Sequence, residues 1–169
     1  EALFGALGTL ASSQGTVNNF VYGNDVYQNY ETICGGTGAG PDHPGASAVH
    51  SHMTNTKMTD PEILEQRFPV RVDSFSIRHG SGGKGKFPGG DGVIRELTFL
   101  TDMKVTLLTS RRHTDPYGLD GGSPGARGRN AVRRKNGEVQ ELLGNDETDM
   151  TPGDTFIMET PGGGAYGAV

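Results

Sequence analysis

The sequence predicts an α+β fold that is mainly antiparallel β, a sandwich or barrel-like layer, with an N-terminal helix and one short helix near 60–68. Three observations carry this reading. From Val70 onward, short apolar and β-branched runs are separated by turn residues, the pattern of successive antiparallel strands. Glycine makes up 28 of the 169 residues, well above the usual share of about 7%. It clusters in short blocks without a repeat, which marks tight turns and close backbone approaches. A helix start is spelled out at Thr59-Asp60-Pro61-Glu62, ahead of the β-rich half.

Residues 1–13 place Ala2, Leu3, Phe4, Leu7 and Leu10 among small residues, predicting a buried helix ended by Ser12-Ser13-Gln14-Gly15. Residues 16–33 read as extended, with Val17, Phe20 and Tyr22, then Tyr27, Tyr30 and Ile33, around a hairpin turn at Gly23-Asn24-Asp25. Residues 35–45 are loop. In the short helix, Thr59 or Asp60 caps, Pro61 loses nothing by its missing N–H, and Glu62 suits the first turn. Pro69 stops it near Phe68. Phe75 and Ile77 then alternate with Ser74, Ser76 and Arg78, and strands follow at 93–100 and 103–109. Segments 131–135 and 138–143 flank Asn136-Gly137, a strong hairpin signal, and Pro152-Gly153-Asp154 turns into a last strand at 155–160. The chain reads as a single unit, with a pattern shift near Val70 where two subdomains would divide.

The net charge of −5 gives no reason to expect a nucleic-acid partner. The basic stretch Arg127, Arg129, Arg133, Arg134 and Lys135 reads as a solvated strand and loop. A single cysteine, Cys34, excludes an internal disulfide framework and fits a reducing compartment, so a cytoplasmic location is expected. No apolar run approaches the ~20 residues of a membrane span, and no signal-peptide pattern is present. The chain begins at Glu1 without a methionine and reads as a piece of something larger.

Seven glycines fall between Gly80 and Gly92, and the block spells both G-x-G-x-x-G and a near P-loop. A dinucleotide or P-loop site needs a helix to follow, and the P-loop also needs a hydroxyl for Mg²⁺. Phe87 and Pro88 stand there instead, so a β-turn system is expected, with an anion-binding nest of glycine amides as the remaining functional reading. His50-x-His52 would place both imidazoles on one face of a strand, within reach of one ion; structural histidines are the competing reading. Cys34 beside a glycine loop admits a nucleophile with an oxyanion site or, more simply, a buried small side chain. Arg78, Arg95, Arg111 and Arg112 admit either structural acid partners or an anionic ligand.

A set of blocks in fixed order resembles the hydantoinase B/oxoprolinase family. They are Tyr30-Glu31-Thr32 with Gly35-Gly36-Thr37-Gly38-Ala39-Gly40-Pro41, then His50-Ser51-His52-Met53-Thr54-Asn55-Thr56 and Thr59-Asp60-Pro61-Glu62-Ile63-Leu64-Glu65. Arg78-His79-Gly80-Ser81-Gly82-Gly83 and Gly89-Gly90-Asp91-Gly92-Val93-Ile94-Arg95-Glu96 follow. Tyr117-Gly118-Leu119, Gly121-Gly122-Ser123-Pro124-Gly125-Ala126-Arg127-Gly128 and Thr160-Pro161-Gly162-Gly163-Gly164 complete the set. The segment His50 to Glu65 looks most like the ATP-dependent 5-oxoprolinase branch. Ala165 departs from the family, whose tail carries another glycine there.

The resemblance implies ATP-dependent opening of a cyclic amide, 5-oxo-L-proline to L-glutamate, a step of glutathione metabolism. An A-type part binds ATP and phosphorylates the lactam oxygen, and a B-type part adds water and opens the ring. This chain looks like the C-terminal end of the B-type part. ATP, Mg²⁺ and any divalent metal are then expected outside it, and the fragment alone is expected to be inactive. N-methylhydantoinase and ketone carboxylase subunits are the alternatives, as is a non-catalytic assembly module. The expected partners are a small lactam substrate, the A-type part and further copies of the enzyme. The catalytic candidates are His50, His52 and Asn55, and the substrate-binding candidates are Thr54, Gly38, Arg78 and Arg95.

Overall fold

The computed structural model describes residues 1–52 and 54–169. Among them the helices are α1 (Ala2–Ala6) and α2 (Pro61–Arg67). The strands are β1 (Asn18–Gly23), β2 (Gln28–Thr32), β3 (Val70–Arg78), β4 (Gly92–Phe99), β5 (Met103–Thr109), β6 (Arg129–Arg133), β7 (Val139–Leu142), β8 (Asn145–Met150) and β9 (Thr155–Glu159). A four-stranded sheet has the order β2-β1-β5-β8 and a five-stranded sheet the order β3-β4-β9-β6-β7. Every pairing is antiparallel, and neither sheet closes into a barrel. The α+β, mainly antiparallel reading therefore holds in its sandwich form.

The two-residue period decides which side chains meet between the sheets. In β5, Met103, Val105 and Leu107 are buried while Lys104, Thr106 and Leu108 face out. In β1, Phe20 and Tyr22 point inward; the Phe20 ring stacks on Phe156 of β9 at 4.3 Å, and Tyr22 meets Phe99 of β4 edge-on at 5.5 Å. The core also takes Ile33, Leu64, Leu97, Val132 and Met158, so it draws on residues from both sides of Val70. Between the sheets Arg95 of β4 reaches Glu31 of β2, with Nε and Nη2 each 2.9 Å from a carboxylate oxygen.

Two elements differ from expectation. The buried helix over 1–13 is instead the five-residue α1, with its Leu3 and the C-cap Leu7 67% and 64% exposed. Gly8, at φ +64, breaks the helical path, and buried Ala11–Gln14 hydrogen-bond into the glycine loops. Strand β8 has no counterpart in the sequence reading. It is a polar edge strand with only Thr148 and Met150 turned inward, too few for a visible alternation. Strands β4 and β5, though adjacent in sequence, lie in different sheets. The short helix behaves as read: the Asp60 carboxylate accepts from Glu62 N at 3.0 Å, and Phe68 leaves the helix at φ −127.

The turn before β9 hangs on Asp154. Its Oδ1 accepts from Lys135 N at 2.9 Å, and its Oδ2 accepts from Thr151 N at 3.1 Å and Arg134 Nη1 at 2.9 Å. Burial alone would raise this carboxyl's pKa, but the hydrogen bonds outweigh it and hold the group below the usual carboxylate range. The resulting stability is full above the ordinary value of about 4 and is lost as pH falls through the lowered folded value. Asp154→Asn is expected to cost about 1–3 kcal/mol at pH 7 and to flatten the acid limb of a melting-temperature profile between about pH 2 and 5. An unchanged acid limb would refute this role.

Candidate functional site

The glycine loops bring the histidine segment to the molecule's surface. Gly35 and Val49 exchange backbone hydrogen bonds at 3.2 and 3.0 Å, and Ala48 N donates to Asp91 O at 2.9 Å. Ala48 takes a left-handed φ of 55°, which redirects the chain into His50. His50 Nδ1 lies 3.0 Å from Thr54 Oγ1, and Nε2 lies 3.5 Å from Thr56 Oγ1. Burial depresses the His50 pKa, only partly opposed by a hydrogen bond with the Thr56 backbone, so the ring is neutral at pH 7.

His50 stands on a cavity of about 390 Å³ walled by Val49, Met58, Phe75, Ile77 and Val93, with Cys34 among its buried lining. The polar members are His50, Thr56 and Ser76, and among the described residues no charged side chain lines it. A neutral imidazole on such a cavity can donate or accept a proton beside a small, weakly polar ring.

The other candidates are dispersed. Thr54 serves His50. The segment around His52 is not a strand, so residues two apart do not share a face; His52 has φ 55 and packs against the Phe4 ring at 5.6 Å. It lines a second cavity of about 270 Å³ with Glu1, Ala2, Gly15 and Thr16. The two histidines therefore do not converge on one ion, and among the described residues no three His, Cys, Asp or Glu side chains cluster. Asn55 is exposed and lines neither cavity, and Met53 of the same motif lies outside the described residues.

Gly38 is buried, and a Cβ there would stand 1.9 Å from Ala11 O, so it is a packing position away from solvent. Arg78 donates to Arg127 O at 2.7 Å and pairs with Glu159 at 2.8 Å. Arg95 is 2% exposed and committed to Glu31, so a ligand would have to displace that carboxylate. In this structure the polar or packing capacity of Gly38, Arg78 and Arg95 is engaged by the fold. Cys34 is buried, burial pushes its thiol pKa up, and the Gly35 and Gly36 amides donate to Val49 O and Pro161 O. Neither of those two amides is free to serve as an oxyanion donor beside Cys34.

Several amides of the Gly80–Gly92 block are also committed, some within the block and some to remote loops. Gly82 N donates to Asp91 Oδ1 at 2.7 Å, Gly83 N to Gly163 O at 2.9 Å, Gly90 N to Thr37 O at 2.9 Å and Gly92 N to Ser81 Oγ at 2.8 Å. Its own aspartate holds the Gly82 amide, so that amide is not open to an anion, and with no helix after it the block lacks the frame of a nucleotide-phosphate site.

Sequence reasoning missed the walls Met58, Phe75 and Ile77, and a polar cluster joining Glu1, Ser12, Ser13, Ser51 and Arg111. The exposed apolar positions of β3 were the only available signal for the first. Nothing in the sequence spacing signals the second.

A two-sheet scaffold whose glycine loops carry a histidine loop beside an apolar cavity is the setting in which the comparisons fall. The hydantoinase B/oxoprolinase family model matches residues 1–169, and the chain belongs to that family. Within it, a 5-oxoprolinase of Dictyostelium discoideum is 47% identical over 99% of this chain and 13% of its own length. 5-Oxoprolinase 1 of Arabidopsis thaliana is 44% identical, again over 99% of this chain and 13% of its own length. The chain thus spans about an eighth of the length of these curated relatives. The ATP-dependent caprolactamase from Pseudomonas jessenii superposes with a TM-score of 0.75 at 22% identity, covering 95% of this chain and 30% of that one. Nucleotide-free acetone carboxylase gives 0.73 at 19%, covering 92% and 26%. At those identities the structures establish the shared fold. No helix among the described residues is long and apolar enough to cross a membrane.

Proposed function

We propose that this chain is the C-terminal region of the B-type part of an ATP-dependent cyclic-amide hydrolase that opens 5-oxo-L-proline to L-glutamate. The observation that carries this reading is the 47% identity to a protein named 5-oxoprolinase across 99% of the chain. A lactam is a weak electrophile, so its activation by phosphorylation suits the chemistry. The nucleotide belongs elsewhere in the enzyme, because no helix follows the glycine block and the Gly82, Gly83, Gly90 and Gly92 amides are held by acceptors within the protein. Within the chain, the His50 cavity receives the lactam ring, and neutral His50 exchanges a proton with it, held by Thr54 and Thr56.

The test is turnover of 5-oxoproline by the intact ATP-dependent enzyme carrying this region, with hydantoins and small ketones as competing substrates. His50→Ala is expected to lower kcat by about 10²-fold or more, while exposed Asn55→Ala changes it little. Unchanged turnover in His50→Ala, His52→Ala and Asn55→Ala alike would assign the region to assembly. Preferred turnover of a hydantoin or ketone would move the substrate.

A further inference from the structure

The two sheets have four edge strands, and three of them are blunted. Strand β8 carries Asp146, Glu147 and Asp149 among its six residues. Strand β7 is four residues long and includes Glu141. Strand β2 has five residues, and its Thr32 O accepts from Thr56 Oγ1 at 3.3 Å. Shortness, charge and covering loops are the usual means by which an edge is kept from pairing with another chain.

Strand β3, the fourth edge, is treated in two halves. Its first half is covered by α2, where Val72 N donates to Glu65 Oε1 at 2.8 Å, and a register shift follows between Val72 and Ser74. Beyond the shift, Ser74-Phe75-Ser76-Ile77 carries neither charge nor proline. Among the described residues, no backbone group outside β4 bonds to this stretch. Phe75 and Ile77 are 43% and 40% exposed. The same stretch borders the His50 cavity, which is lined by Phe75, Ser76 and Ile77 in succession. Neighbouring residues of a strand face opposite ways, so a cavity lined by three in a row extends to the strand's edge.

We propose that the edge of β3 at Ser74–Arg78 is a docking site for an extended segment of the enzyme's own polypeptide, drawn from outside residues 1–169, that adds to the sheet as a further strand. This rests on the reading of the chain as one region of a longer enzyme. The 5-oxoprolinases matched over 99% of this chain devote only 13% of their length to it, so such enzymes have ample polypeptide to cover the edge. A second copy of β3 is the competing occupant. The open stretch is five residues, about 17 Å of strand, too small by itself for the ~1,000 Å² that a stable dimer buries. A segment of the same polypeptide needs no such area, because its linkage holds it at high effective concentration. Main-chain hydrogen bonds would give the pairing its strength, and apolar side chains at alternate positions of the segment would cover Phe75 and Ile77. The added strand closes the His50 cavity along β3 and keeps water from a ring bound there.

Two measurements on the intact enzyme test this. Hydrogen exchange read at single amides tells whether the edge is paired. The Ser74–Arg78 amides that do not bond to β4 are expected to exchange as slowly as those that do. Ile77→Lys, which puts a charge on the edge, should speed them about tenfold or more, while Ile77→Val leaves them slow. A benzophenone amino acid in place of Ile77 then identifies the occupant. The expected product keeps the mass of a single polypeptide, with the link mapping outside residues 1–169. A product of twice that mass assigns the edge to a second copy and overturns the proposal. Rapid exchange in the unaltered enzyme, a link confined to residues 1–169, or no link at all overturns it too. Neither readout depends on the substrate: if no cyclic amide is turned over while both come out as expected, the docking site stands and the lactam reading falls.

Discussion

Arg95→Ala is expected to destabilise the protein by about 3–5 kcal/mol, read as the shift in the midpoint of urea unfolding. Arg95 and Glu31 lie between the sheets with side chains 2% and 4% exposed, joined by two parallel hydrogen bonds of 2.9 Å. Removing the guanidinium leaves a carboxylate among Ile33, Leu97 and other core groups with no counter-charge, and that desolvation cost is what the experiment reads. The guanidinium also lies 5.4 Å from the Phe75 ring, so its loss disturbs a wall of the His50 cavity. Replacing both partners by apolar residues, Arg95→Met with Glu31→Leu, is expected to recover most of the stability, because neither charge is then stranded. A loss below about 1 kcal/mol in Arg95→Ala, the level of an exposed pair, would show that water reaches Glu31.

The second large effect is at Gly163. A Cβ there would stand 1.8 Å from Thr37 O and 2.2 Å from Thr37 C, far inside van der Waals contact. Both obstacles are backbone atoms, and Thr37 O already accepts from Gly90 N at 2.9 Å, so no side-chain rotation relieves the clash. Gly163→Ala is expected to cost more than about 3 kcal/mol, beyond ordinary overpacking, or to leave the protein insoluble. Gly80→Ala is the control. Gly80 has φ +80 and open space around its Cβ position, so it bears only the backbone strain, about 1–2 kcal/mol. Similar melting temperatures for the two variants would overturn the view that backbone-to-backbone packing holds the loops together.

That contrast explains how the glycine blocks mislead. The spelling of Gly80–Gly92 suggests a phosphate cradle, and the missing helix already removes nucleotide binding from the sequence alone. The fate of the Gly83 and Gly90 amides was not legible, because their acceptors are Gly163 and Thr37, distant in sequence. The same holds for the histidines. His50-x-His52 shares one face only if the segment is a strand, and the left-handed turn at His52 sends the rings to different cavities. Arg95 looked available for a ligand because nothing in its neighbourhood announces Glu31, 64 positions away.

Local physics suffices where one segment decides its own conformation. The α2 start follows from Asp60, Pro61 and Glu62, the strands from their two-residue period, and the hairpins from Asn136-Gly137 and Gly23-Asn24-Asp25. The ordered motif blocks likewise carry the family unaided. The site was decided elsewhere. Glu1 meets Ser13 and Arg111, Ser51 meets Ser13, and Phe75 shares a cavity with Cys34 and His50, only because two sheets and a stack of glycine loops bring remote segments together. A carboxylate or an amide is satisfied by whichever partner the fold delivers, and that partner is a property of three-dimensional packing that sequence spacing does not encode.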